Sequence, residues 1–450
     1  MPVSDDAAPA TEGRLKAAPP WTGRGRALTV TVLVVASAVV VFLDKVLLGL
    51  VATPMSDELH LDAADFGTLA SASYVLFGVT CLAAGFTAQR VSPRLLLLVC
   101  GLLWAVGQLP AVFAVTGGML YGSRLLVGAA EGPASPLAVT SLYSWYPNER
   151  RGVPTAWYTS GAAIAKIALA PVLTLVIVTF GWRAGFVTVS VLALVWSLGW
   201  LAAGRIGPYG AQSRPAPAPA GAPEPARPPS VPWRTALVNR TFLGCLIAQL
   251  TQSALAAVIF TWLPSYFHHA LGYSELTAGS LLGLPSVGGI VALFTAGFTA
   301  DRLVRRGVGS RRARGVLGGS VLACAGLVLT LLPWIQHPIA SIGILMLGYG
   351  GSVSLNTFTN PVLAEIVPPH QRSAILGVLN GLGVSAGAVS PIVSGMLLDA
   401  SDTPQQGYTL TFFCFGALVA FGGLCFALMV DPERDGRHAR SLPTPLNPAA

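Results

Sequence analysis

Apolar runs of twenty or more residues follow one another along almost the whole chain, separated by short polar stretches. Each is long enough to cross a hydrocarbon core about 30 Å thick as an α-helix. Twelve such runs are read, at roughly 27–51, 65–88, 94–115, 118–142, 152–178, 183–204, 241–265, 277–299, 315–334, 339–363, 373–398 and 407–430. The first run is too long for a signal-peptide core and no small-residue cleavage site follows it, so it is expected to stay as a helix. The pattern predicts an all-α membrane protein with twelve transmembrane helices.

Residues 206–232 are too rich in proline and alanine to bury a core and read as an extended, solvated linker. The chain then divides into a disordered tail (1–26), a six-helix bundle (27–205), a linker region (206–239), a second six-helix bundle (240–430) and a tail (431–450). The halves repeat each other. GFTAQR at 85–90 returns as GFTADR at 297–302, and PNERRG at 147–152 has its counterpart in PPHQRS at 368–373. Two pseudo-symmetric six-helix bundles leave this signature, and their substrate site is expected between the halves near the bilayer midplane.

Composition agrees: 53% of the 450 residues are hydrophobic and 10% charged, against about 25% charged in a soluble domain. Charge then sets the orientation. Of 27 Lys and Arg, only Lys45, Arg124 and Lys166 fall well inside spans, and only Arg183, at the external edge of its span, lies on the outer side if the N-terminus is inside. The other 23 sit on one side, which places both termini in the cytoplasm of a cell with this protein in its inner membrane. The net charge of +8 is accounted for by topology and contact with anionic lipid, with no nucleic-acid partner expected. The six cysteines all fall inside spans as small apolar packing residues, without metal-ligand spacing. No phosphate loop or nucleophile–base constellation accompanies the buried charges, so neither enzyme chemistry nor a cofactor is expected.

A charge at the bilayer centre costs from about 2.5 to over 10 kcal/mol, yet Asp44, Lys45, Arg124, Glu131 and Lys166 all lie well inside spans. Arg124 and Glu131 are two turns, about 10.5 Å, apart on one helix face, with Gly128 between them. Glu131 is near mid-span, where a low dielectric penalises its charge and makes it a proton-carrier candidate. Asp44 and Lys45 are neighbours pointing about 100° apart, so they serve different partners. Lys166 either contacts substrate or pairs with Glu131 on the adjacent helix. The five groups sum to +1 with both acids ionised and +3 with both protonated, which is the logic of a proton–anion symporter. Tyr74, Trp157, Tyr158 and Phe358 are cavity-lining candidates, with core packing as the alternative for each. Asn356, Thr357 and Asn360 add polarity to span ten, for substrate or for helix–helix hydrogen bonds. Trp262 and Tyr266 end span seven as interfacial anchors.

Gly-x-x-x-Asp-Arg after spans two and eight is the hallmark loop of the major facilitator superfamily. The stretch RLLVGAAEGPASPLAVTSLYSWYPNERRG (124–152), WYTSG (157–161), FLDKVLLG (42–49), TWLPSYF (261–267), GFTADRLVRRG (297–307) and Asn380-Gly381 together resemble the anion:cation symporter family, which includes sugar-acid transporters. The resemblance covers nearly all of 27–430. It implies proton coupling through Asp44 and Glu131, a substrate-carboxylate anchor at Lys45 where the family has Arg, and gating by Arg90, Asp301 and Arg302. Gln89 replaces the Asp of the first hallmark loop, which weakens that gate. Phe77 and Ala162 stand where sugar-acid members carry Tyr and Gln, and so point to a less hydroxylated organic acid.

The expected function is import of a small organic anion by proton symport, with Lys45, Arg124, Lys166, Tyr74, Tyr158, Asn360 and Asn380 binding substrate and the protein working as a monomer. A drug–proton antiporter and a non-transporting membrane sensor on the same fold are the alternatives. A lysine within span five disfavours cationic drugs, and the tails are short for a sensor's partner domain.

Overall fold

The computed structural model describes residues 24–87, 91–147, 150–209, 231–335, 337–368 and 371–441. Ten helices are each long and apolar enough to cross a membrane: α1 Gly25–Leu50, α3 Pro93–Val112, α5 Val153–Phe180, α6 Trp182–Ala203, α7 Arg240–Ala270, α8 Glu275–Arg305, α9 Arg311–Trp334, α10 Pro338–Ile366, α11 Ala374–Asp399 and α12 Pro404–Met429. The twelve are completed by α2 Ala63–Thr87 and α4 Gly117–Tyr143, of 25 and 27 residues. The latter is diluted in apolar character by Arg124, Glu131, Pro133 and Pro136. A shorter helix, α13 Pro432–Ser441, follows α12. The expected tail before residue 24 and most of the linker lie outside the described residues.

Local chemistry sets the helix ends. Ser92, Asn239, Ser274 and Thr403 each accept a backbone N–H from the first turn of the helix they precede, with Pro93 and Pro404 at the first helical position. Gly181 turns the chain between α5 and α6 at φ 85°, a backbone conformation that excludes most side chains.

The two halves meet at the end remote from the 203-to-240 connection, here the far end. There α2 packs on α11, α1 on α7 and α5 on α8. Gly67 lies against the Pro391 carbonyl and Gly395 against that of Ala63, so α2 and α11 cross at backbone distance and neither position has room for a side chain. Asp399 of α11 accepts the backbone N–H groups of Ala63 and Ala64 at 3.0 and 2.7 Å, and Thr53 meets His269 at 3.0 Å. One buried apolar cluster runs through this seam, including Leu47, Phe66, Phe260 and Trp262. A second, built around Trp104, Trp196 and Trp200, belongs to the first half alone.

Trp262 and Tyr266 depart from the sequence expectation. They are 4% and 1% exposed rather than anchored at a membrane surface. The Trp262 ring packs edge-on against Phe66 of the other half while its Nε1 donates to Ser394 at 2.7 Å. Tyr266 packs against Tyr408 and Phe412 of α12. The seam, not the lipid headgroups, takes up these aromatic ends of α7.

Candidate functional site

All five intramembrane charges of the sequence analysis lie in α1, α4 and α5 of the first half, and they sort into three sets. Lys45 reaches from α1 to α4, with Nζ 2.5 Å from Oε2 of Glu131. The other Glu131 oxygen, Oε1, is buried without a hydrogen-bond partner. Lys45 also lies over the rings of Tyr74 (5.1 Å) and Phe77 (5.8 Å) of α2. Close packing makes this possible: Gly128 and Gly132 of α4 rest against the α2 backbone at Ser73 and Phe77, where a side chain would collide.

Arg124 forms the second set. Its Nη1 is 3.2 Å from each oxygen of Asp44, and its Nη2 donates to Gln108 at 2.5 Å and Ser123 at 3.3 Å. Gln108 closes the ring by donating to Asp44 at 2.5 Å, and Phe186 lies 5.2 Å below the guanidinium. At 2% exposure Arg124 is a buried cation with both terminal nitrogens hydrogen-bonded rather than an open anchor. Gln108 was absent from the sequence-level site although a signal existed, because it is the one strongly polar side chain between Leu95 and Val115.

Lys166 stands apart. It lies on a π-helical turn, Ala165–Leu169, within α5. Glu131 is held by Lys45, and among the described residues no carboxylate is within ion-pair distance of Lys166. Its Nζ instead faces two rings of the second half, Phe260 at 5.2 Å and Tyr349 at 5.4 Å.

The remaining candidates are more scattered. Tyr158 is half-buried against the first-half core, while Asn360 and Asn380 are exposed on α10 and α11. Asp301 and Arg302 are exposed at the linker end of α8, and Arg90 lies outside the described residues. A cavity of about 850 Å³ opens along α1 and α5, lined by residues from Leu28 to Val39 and from Val153 to Ile164, with Tyr146 and Arg150 at its polar edge. Among the described residues no cluster of potential metal ligands occurs.

Comparison with known proteins decides the family. Residues 33–383 and 310–449 match the Major Facilitator Superfamily. The chain belongs to this superfamily. It is therefore a multi-pass membrane transporter and not an enzyme. Its similar curated proteins sit in the sugar-acid and anion branch of the superfamily. The "D-galactonate transporter" of Escherichia coli is 25% identical, over 92% of this chain and 98% of its own. The "Probable sulfoacetate transporter" of Cupriavidus necator is 26% identical, over 90% and 95%. The "Probable L-galactonate transporter" of Escherichia coli is 22% identical, over 90% and 91%. Among solved structures, a bacterial homologue of the lysosomal transporter Spinster, in an inward-facing and occupied conformation, superposes with a TM-score of 0.73 at 15% identity, covering 95% of this chain and 100% of that one. At that identity the likeness concerns the fold.

Proposed function

We propose that this superfamily member carries a small organic anion across the cell membrane by proton symport, importing it through alternating access as a monomer. The observation that carries the reading is the pairing of two buried acids with two cations inside the spans, Glu131 with the half-buried Lys45 and Asp44 with the buried Arg124, beside Lys166, which has no acid among the described residues. Each proton that neutralises an acid releases its cation to a substrate carboxylate, so protons and anion load together. Glu131 and Asp44 act as the proton carriers. Lys45 and Arg124 hold the carboxylate, with Lys166, Tyr74, Tyr158, Asn360 and Asn380 as further substrate contacts.

Closure at the far end, with Asp301 and Arg302 exposed at the linker end, supports a carrier that opens to one side at a time, gated at the linker end by Arg90, Asp301 and Arg302. The lysine and arginine bias puts that end, and both termini, in the cytoplasm of the inner membrane. Relatives named for galactonate, sulfoacetate and hexuronate are all named for small organic anions. A surplus of one cation among the five charges inside the spans disfavours a cationic drug as cargo.

The experiment is uptake of radiolabelled organic acids into proteoliposomes. Uptake should follow an inward proton gradient and collapse with a protonophore. Uptake indifferent to pH but driven by sodium removes the proton assignment.

A further inference from the structure

Lys45 and Arg124 each have an acid, whereas Lys166, 7% exposed, has none among the described residues. Ring faces compensate only part of the cost of burying most of a lysine side chain, and among the described residues no oxygen accepts from its ammonium. The position is built rather than incidental. Lys166 sits on the π-helical turn, a distortion frequent at functional positions. The backbone at Lys166 and Ile167 is pressed against Gly283 of α8, where a Cβ would stand 2.9 Å from the Ile167 Cα. The lysine is thus fixed at the seam between the halves, facing rings that belong to the opposite half.

The two lysines of the site both lie against tyrosine rings. Lys45 of the first half lies over Tyr74, and Lys166 lies beside Tyr349 of the second half. A tyrosine face thus accompanies both the cation that proton loading releases and the one that has no acid among the described residues.

We propose that Lys166, between Phe260 and Tyr349, is a second anion subsite that selects substrates carrying two acidic groups. This deepens the anion-transport reading and rests on it. One acidic group takes the cation released by protonation in the first half, and the other takes Lys166. Because the subsite is walled by aromatic faces from the second half, its occupant is an organic diacid with a weakly hydroxylated backbone.

The test measures binding of succinate, glutarate and phthalate, and of their monoamides, to purified wild-type protein, Lys166→Met, Lys166→Gln and Lys166→Arg, each checked for a monodisperse elution profile. Tyr349→Phe, which keeps the ring, serves as a second variant and should retain the selectivity. The wild type should prefer a diacid to its monoamide by tenfold or more. Met and Gln should abolish that preference while leaving monoamide affinity within about threefold, and Arg should restore it. Equal losses for diacid and monoamide, or a preference that survives in both Met and Gln, overturn the subsite while leaving anion transport standing. Misfolding of Met and Gln together with full selectivity in Tyr349→Phe and none in Lys166→Arg also overturns it, since the charge alone would then not serve. A wild-type protein that binds no acid of either kind overturns the subsite and the transport reading together.

Discussion

The ammonium of Lys45 and the carboxylate of Glu131 form a 2.5 Å ion pair between α1 and α4, and the pair uses only one of the two acid oxygens. The bare Oε1, buried without a hydrogen-bond partner, is the oxygen open to a proton. Glu131→Gln should therefore retain counterflow exchange of substrate yet lose gradient-driven accumulation, with the internal-to-external ratio falling to about one, because an amide neither releases nor rebinds a proton. Accumulation at wild-type level in the variant would make Glu131 a purely structural partner of Lys45.

Removing the cation instead is the harsher change. Lys45→Ala leaves an acid 3% exposed without its counter-charge, a loss that in buried pairs costs about 3–5 kcal/mol. Protonating Glu131 relieves that cost, so the thermal stability of Lys45→Ala should rise as the pH is lowered, relative to wild type. A constant deficit across pH would show that the carboxyl is already neutral in the variant.

The charged residues of this site were legible in the sequence because a charge inside an apolar run has no ordinary explanation. Their partners were not, since Lys45 and Glu131 are 86 residues apart and Arg124 and Asp44 80. A one-dimensional reading could propose that Glu131 pairs with Lys166, and only packing of α4 on α1 and α2 gives Lys45 the prior claim. The same limit explains Trp262. An aromatic at a span's end looks alike whether it meets headgroups or a second bundle, and here it meets Phe66. The twelve spans themselves were readable because each run of apolar residues must find its own crossing. The π-helical turn at Lys166 leaves no periodicity of its own, though Pro171 one turn later withholds the N–H that Ile167 would otherwise receive.

Beyond the spans, Asp431 starts α13 by accepting the backbone N–H of Arg434 at 3.0 Å, and it pairs with Arg311 at 2.7 Å. Burial opposes its ionisation, but these two partners outweigh burial and hold its carboxyl below the ordinary aspartate value. A carboxyl lowered by folding contributes stability above its unfolded value, near pH 4, and that contribution is lost as the pH falls through the folded value. Docking of α13 should therefore be constant from neutral pH down to about pH 4 and fail below it. Asp431→Ala should cost about 1 kcal/mol, typical of a lost helix cap, and should speed amide exchange across 432–441 at neutral pH. Unchanged exchange there would mean that Asp435, which accepts from the backbone of Thr241 at 3.0 Å, holds the helix by itself.

At the far end Asp399 caps a helix of the other half, and both of its oxygens are engaged only while α2 and α11 are together. A helix cap contributes about 0.5–2 kcal/mol, and in the proposed alternating-access cycle that contribution acts on the equilibrium between closed and open far ends. Asp399→Ala should shift that equilibrium toward the open state by roughly 2- to 30-fold, and Asp399→Asn, which keeps one acceptor oxygen, by less. Ser71 offers the readout. It is 2% exposed and lies on the same α2 face as Gly67 and Tyr74, four residues after one and three before the other. In a background with the native cysteines replaced by serine, alkylation of Ser71→Cys should accelerate in step with that shift when Asp399 is replaced by alanine. An alkylation rate equal to that of the parent would show that the seam is held by the close packing of Gly67 and Gly395 and that the cap adds nothing to closure.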